Sequence, residues 1–158
     1  MFRKMRRFGQ ELSAEDCRAL LKRAKRGVLS VQGDDGYPYG VPVNYSYDEE
    51  TDTIYIHGAK EGHKIDAIRH CSKVSFTAWE QGELDADGWS WHMTSVIAFG
   101  EAELVEDLAL TAEKVRELGL KYSPSPEEVE ADIRSAIHRV QLIAVHIQHL
   151  TGKRVHER

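Results

Sequence analysis

The sequence predicts a mainly β domain with flanking helices, in which six strands close into a small antiparallel barrel with the helices packed outside. Three observations carry that expectation. Six segments have strand character, at Val28–Gln32, Tyr37–Tyr47, Thr53–His57, Lys73–Trp79, Trp91–Val105 and Val140–Leu150. Turn residues separate the opening ones: Asp34-Asp35-Gly36 between the first and second, Asp48–Asp52 between the second and third, so these should pair as antiparallel hairpins. Helical patterns with start signals fall at the beginning and between the last two strands.

In chain order, Ser13 is placed to cap a helix whose Cys17, Leu20, Leu21 and Ala24 share one face, ending near Gly27 and covering the sheet. A short helical run from Lys64 to about Cys71 follows the third strand. Before the last strand, Leu108, Ala112, Val115 and Leu118 share a helix face. Ser125-Pro126-Glu127-Glu128 then reads as a capping box for a helix carrying Val129, Ile133, Ala136 and Ile137. The acidic Glu80–Asp87 run reads as a solvated, mobile loop. No repeat or low-complexity segment interrupts the chain, so residues 1–158 are expected to form a single domain.

Composition narrows the function. A net charge of -5 argues against nucleic-acid binding, and the basic cluster Arg3, Lys4, Arg6, Arg7 reads as a solvated N-terminal arm. Cys17 and Cys71 sit in no CxxC or secretory pattern, which disfavours a disulfide framework or a thiolate zinc site and fits a reducing cytoplasm. No apolar run approaches the ~20 residues of a membrane span, and the N-terminus lacks a signal-peptide core.

The informative stretch is GYPYGVPVNYSYDEETDTIYIHGAKEGHK, Gly36 to Lys64. Pro38 and Pro42 each remove a ladder donor, so their strand belongs at an edge or leaves backbone groups for something other than a neighbouring strand. Ile54 and Ile56 alternate with Tyr55 and His57 on a half-buried strand that runs into a glycine-bounded loop. His63 and Lys64 then open a helix, and free helix amides beside an ammonium and a glycine can bind phosphate. A solvated loop with an ordinary helix-start lysine is the plainer alternative.

The order and content of these pieces, RKMRRFGQELS, GVLSV, YPYGVPVNY, IYIHGAKEGHKIDAI, KVSF, TSVIAFGEAELV and HLTGKR, resemble the FMN-binding split-barrel family of pyridoxamine-5'-phosphate-oxidase-like proteins, in its branch related to nitroimidazole-resistance proteins. The resemblance spans nearly the whole chain. It implies a six-stranded antiparallel split β-barrel of Greek-key type, and a homodimer with two flavin sites at the subunit interface. It also implies that Val41, Pro42, Val43, Asn44 and Tyr45 lie along the isoalloxazine ring, that His57, Gly58 and Ala59 approach the ribityl-phosphate, and that His63 and Lys64 neutralise the phosphate. Ser95 would bond near the polar edge of the ring, and Lys153 would reach the site from one subunit or the other. The chain departs from the family pattern at Trp89-Ser90-Trp91-His92-Met93-Thr94, and Leu150 stands where the oxidases proper carry a tail tryptophan.

An FMN phosphate, with a charge of about -2, can be held by a lysine, a histidine and helix-end amides without a Rossmann glycine loop. No GxGxxG is present, so NADH or NADPH is expected only as a transient reductant. No nucleophile elbow supports hydrolysis. The leading expectation is a flavin-dependent reductase of small aromatic acceptors such as nitroimidazoles or quinones, with His57 or His92 as proton donor. Trp89 and Trp91 would stack on such a substrate or pack an interface. Two alternatives stand beside it. One is a flavin-binding module without turnover. The other is a metal or haem site built from His57, His63 and His70, or from His146 and His149; that last pair, an odd number apart on one strand, should face opposite sides.

Overall fold

The computed structural model describes residues 1–157. Eight strands are found among them: β1 (Arg26–Gln32), β2 (Pro38–Asn44), β3 (Ser46–Asp48), β4 (Thr53–Ala59), β5 (Lys73–Trp79), β6 (Glu83–Leu84), β7 (Trp91–Val105) and β8 (Val140–Glu157). Helix α1 (Ala14–Arg23) precedes β1, α2 (His63–His70) links β4 to β5, and α3 (Leu108–Tyr122) and α4 (Pro126–Ala136) lie between β7 and β8. The two strands beyond the expected six have separate origins. Tyr45 cuts the Tyr37–Tyr47 segment into β2 and β3, and β6 arises inside the acidic run expected to be a loop, where Glu83 and Leu84 pair with His92 and Trp91.

All pairings are antiparallel, as expected of the opening hairpins, and the hydrogen-bonded order is β2-β1-β5-β7-β8-β4-β3 with β6 joined to β7. Strands β2 and β3 stand at opposite ends of this path, yet one residue, Tyr45, connects them. The sheet must therefore curl until its two ends meet, which makes it a split barrel. Tyr45 pins the seam: its side chain is fully buried, its hydroxyl donates to the Leu21 carbonyl at 2.7 Å, and its ring meets Phe76 edge-on with centroids 4.7 Å apart. Its backbone is claimed too. The Tyr45 amide donates to the Tyr122 hydroxyl, and its carbonyl accepts from Lys121 Nζ.

The inner face of the barrel carries Leu29, Ile54, Ile56, Phe76, Val96, Ile143 and Val145, all fully buried, and α1 packs Cys17, Leu20 and Leu21 onto the same core. The Ser13 hydroxyl caps α1 by accepting from the Asp16 amide at 3.0 Å. The helix stops at Arg23, short of the expected Gly27, because Ala24 turns extended to feed β1. Cys17 and Cys71 are both free thiols.

In α3 the buried positions are Thr111, Lys114 and Leu118, while Leu108, expected on the buried face, is exposed. An ion pair explains the shift: Lys114 reaches Asp48 of β3 at 3.0 Å and Glu117 at 3.2 Å, so a charged residue occupies the face an apolar one was expected to fill. The Ser125 hydroxyl caps α4 by accepting from the Glu128 amide, and Val129 and Ile133 are buried as expected.

Between β7 and β8 the register slips at one point: Phe99 faces His149, but Gly100 faces Ile147, leaving Gln148 as an extra residue. The bulge corrects the expectation for the two histidines. Ile147 and Leu150 both pack on the core across the slip, so His146 and His149 fall together on the outer face. They are occupied separately: His146 Nε2 lies 2.9 Å from Glu103, and His149 stacks on Phe2. No group of three metal-ligating side chains assembles among the described residues, and no helix there is long and apolar enough to cross a membrane.

Candidate functional site

As its prolines demand, β2 is an edge strand. Among the described residues it pairs only with β1, from Arg26 opposite Asn44 to Gln32 opposite Pro38. In an antiparallel ladder alternate residues turn their backbone polar groups away from the partner, and a proline has no N–H to leave unpaired there. Beside this edge, the end of β4 and the first turn of α2 enclose a cleft of about 480 Å³, lined by Arg26, Val41, Pro42, Val43, Asn44, His57 and Lys64. Sequence reasoning had singled out all of these except Arg26.

The cleft is electropositive by construction. Its lining includes two basic side chains and an imidazole but no carboxylate, and neither Arg26 nor Lys64 has an ion-pair partner among the described residues. Ile65, Ala67 and Ile68 bury one face of α2 and so fix the position of Lys64 in its first turn. Gly58 lies directly beneath: a Cβ there would stand 2.9 Å from Lys64 Nζ and 3.1 Å from its Cε, so the bare glycine admits the ammonium. Helix α2 opens on Gly62 at φ 121° with no side-chain cap; the Ile65 and Asp66 amides both donate to the Gly62 carbonyl, and those of His63 and Lys64 have no carbonyl to meet within the helix.

His57 lines this cleft from the end of β4, exposed to solvent on one side and desolvated by protein on the other. Desolvation, and then the Lys64 ammonium, lower its pKa from the ordinary value. At neutral pH the ring is therefore uncharged, with one nitrogen able to donate a hydrogen bond and the other to accept one.

Residues 13–154 match a family model described as pyridoxamine 5'-phosphate oxidase. The chain belongs to that family. No curated protein matches it. Among solved structures, a Bacteroides thetaiotaomicron protein named for 5-nitroimidazole antibiotic resistance superposes with a TM-score of 0.77 at 22% identity, over 93% of this chain and 87% of the other. The flavocytochrome Anf3 of Azotobacter vinelandii gives 0.76 at 21% identity, over 95% and 71%. An FAD-binding protein of Mesorhizobium loti gives 0.65 at 23% identity, over 92% and 97%. These likenesses show that the split barrel is shared.

Within this member of the pyridoxamine 5'-phosphate oxidase family, the remaining candidate residues are distributed away from the cleft. His63 turns to the β1–β2 hairpin, stacking on Tyr39 with ring centroids 4.1 Å apart and lying 3.6 Å from Asp34. Tyr45 serves the seam and offers the cleft neither side chain nor backbone, so the run that faces the cleft stops at Asn44. Ala59 closes β4 opposite Val140. Ser95 and Lys153 do meet, directly opposite one another on β7 and β8, but neither lines the β2 cleft.

His92, 3.2 Å from Asp85, lines a separate polar hollow with Arg23, Glu80, Thr94 and Arg154. Trp89 and Trp91 are exposed around the turn before β7, where Asp87 Oδ1 accepts from the amides of Trp89 and Ser90, both at 2.8 Å.

Arg26 is the residue that sequence reasoning missed. It stands in a basic run, Lys22 to Arg26, that reads as the end of a helix, and only its pairing opposite Asn44 brings it beside Lys64.

Proposed function

We propose that the chain is an FMN-binding flavoprotein that acts as an NADH- or NADPH-linked reductase of small aromatic acceptors such as nitroimidazoles or quinones. The β2 cleft carries this reading: two unpaired cations, Arg26 and Lys64, line it together with the Val41–Asn44 strand edge, and Lys64 stands in the uncapped first turn of α2. That is the donor set a flat ring with a single phosphate requires, and it fits FMN. Structural relatives named as a flavocytochrome and an FAD-binding protein support a flavin.

Lys64, Arg26 and the first amides of α2 hold the phosphate. The backbone of Val41 to Asn44 lies against the polar edge of the ring, and Val41 and Val43 help keep water from it. Bound flavin supplies hydride transfer between nicotinamide and acceptor. His57, neutral and lining the cleft, holds a proton on one ring nitrogen for a molecule seated against it. His92 can take part only in a site that its own hollow adjoins.

The protein works as a homodimer. On β7, Met93, Ser95, Ile97 and Phe99 alternate onto the outer face, and Met93, Ile97 and Phe99 are exposed apolar side chains beside exposed Trp79. A second copy covering this stripe places Ser95 and Lys153 at the interface, where they serve the partner's flavin, and buries Trp91. Free thiols at Cys17 and Cys71 fit a reducing cytoplasm.

The test is direct. Purified protein should be yellow or become so with FMN, and NADH or NADPH should reduce the flavin, which a nitroimidazole or quinone then reoxidises faster than air does. Colourless protein that fails to bind added FMN refutes the cofactor. Bound flavin that no acceptor reoxidises refutes the reductase and leaves a binding module.

A further inference from the structure

Asn44 and His57 each have two sides. One lines the basic cleft; the other lines a second hollow of about 480 Å³ between the barrel and the α3–α4 hairpin. Its remaining walls are largely apolar, with Val115 and Leu118 from α3, Val129 and Ile133 from α4, and Val140 at the start of β8. Two carboxylates also line it, Glu128 and Asp132, four residues apart and so on one face of α4. Neither has an ion-pair partner among the described residues, whereas Glu130, between them in sequence but on another face, is held by Arg116. A glutamate in the first turn of a helix is stabilised there in any case, but Asp132 lies a turn further on, where the helix N-terminus exerts little pull.

Among the side chains that line the two hollows the sign of charge therefore reverses across the shared wall, from Arg26 and Lys64 on one side to Glu128 and Asp132 on the other; Lys25 and Lys121 do stand at the Tyr122 ring, 5.6 and 5.8 Å from its centroid, but neither lines the hollow and both donate to backbone carbonyls. The geometry points to the α3–α4 hollow as a binding site of its own, taking flat aromatic molecules that carry a protonated amine. Apolar walls accept the ring, the two carboxylates accept the ammonium, and the cations across the wall repel the same ammonium from the flavin side. Anionic aromatics meet the opposite field and are turned away.

Three probes of one size separate the possibilities: 4-nitrobenzylamine, 4-nitrobenzyl alcohol and 4-nitrobenzoate. Their binding is measured by calorimetry on both flavin-free and FMN-loaded protein, with FMN affinity measured independently. The wild type should bind the amine about fivefold to tenfold more tightly than the alcohol, with the carboxylate weakest, and added salt should narrow the spread. In Glu128→Gln/Asp132→Asn, two swaps at exposed positions, the amine should fall to the level of the alcohol while FMN affinity is unchanged. Ala136→Phe, which fills the hollow, should weaken amine and alcohol alike and also spare FMN. Equal binding of all three probes by the wild type, or an amine preference that survives in the double variant, overturns the assignment. Failure to bind FMN would sink the flavin reading instead, and the probe series on the flavin-free protein would still report on the hollow.

Discussion

Lys64 and His63 are neighbours in sequence and part company in space. Successive helical residues point about 100° apart, so the turn that delivers Lys64 to the cleft sends His63 to Tyr39, and Arg26 from a distant strand completes the cationic lining. Lys64→Ala should weaken FMN binding at least about tenfold, the scale of one charge-assisted hydrogen bond, and Arg26→Ala should weaken it as well. Both are read by flavin fluorescence titration, and unchanged affinity in Lys64→Ala would remove the phosphate assignment.

The same pair sets a pH signature. His57 is a base whose folded pKa is depressed below its unfolded value of 6.5, by desolvation first and by Lys64 second. In the window between the two pKa values the unfolded chain binds a proton that the folded chain does not, so stability rises with pH through that window and levels off above it. NMR titration should find His57 below its ordinary pKa in the wild type. In Lys64→Ala it should move only part of the way back, because the desolvation is untouched. His57→Gln should remove this residue's share of the acid-side slope in denaturation experiments.

At the scale of elements, two contacts decide how the long strands and the outer helices sit. Gly100 occupies the slip between β7 and β8, where a Cβ would overlap the backbone carbonyl of His146, an atom that cannot swing aside as a side chain would. Gly100→Ala should cost about 1–3 kcal/mol, the range for forcing an extra carbon into a packed site, measured by urea denaturation.

Lys114, with a side chain only 10% exposed, binds α3 to β3 through Asp48 and lies over the Tyr55 ring, with Nζ 5.2 Å from the centroid. Burial opposes the charge on Lys114, but the bonds to Asp48 and Glu117 outweigh it and raise its pKa. Burial likewise opposes ionisation of Asp48, and its bonds, that to Lys114 foremost, lower its pKa on balance. Removing one partner leaves the other charge half-desolvated, so Lys114→Ala should destabilise by about 3 kcal/mol. Because the folded pKa of Asp48 is depressed, its contribution is present above its unfolded pKa near 3.8 and lost as pH falls through the folded value. The variant should therefore show a flatter acid limb than the wild type.

At the scale of the molecule, the curled sheet puts its apolar faces to two uses. The inner face makes the core, and the outer stripe of β7 leaves Met93 and Ile97 partly exposed beside Phe99, which the Phe2 ring covers in part. Ile97→Lys should convert the proposed dimer to a monomer in sedimentation experiments and weaken FMN binding with it, since in that proposal the second copy is what brings Ser95 and Lys153 to the partner's site. A wild-type monomer at micromolar concentration would refute the interface.

Much of this architecture was legible in one dimension, because it depends on local chemistry. Pro38 and Pro42 cannot serve a central strand whatever surrounds them, Ser13 and Ser125 cap the helices that follow them, and turn residues close the first hairpins. The curling of the sheet was not local. It follows from Tyr45 joining strands at the two ends of the hydrogen-bonded order, and nothing in the residues around Tyr45 announces that order. Nor was the bulge at Gly100, which turns His146 and His149 onto one face against the simple alternation of a strand.

The sequence by itself thus determined the type of most elements, the unsuitability of the proline strand for the sheet's interior and the phosphate-binding character of Lys64, through backbone constraints and side-chain chemistry carried within a few residues, while the candidacy of Val41 to Asn44 and of His57 came from the family resemblance. Only the tertiary structure decided that Arg26 joins Lys64, that His63 and Tyr45 are engaged elsewhere, and that an acidic, apolar hollow adjoins the basic cleft through His57. Those outcomes depend on strand pairing and helix packing between segments far apart in the chain, and the field at a site is the sum of charges that only the fold brings together.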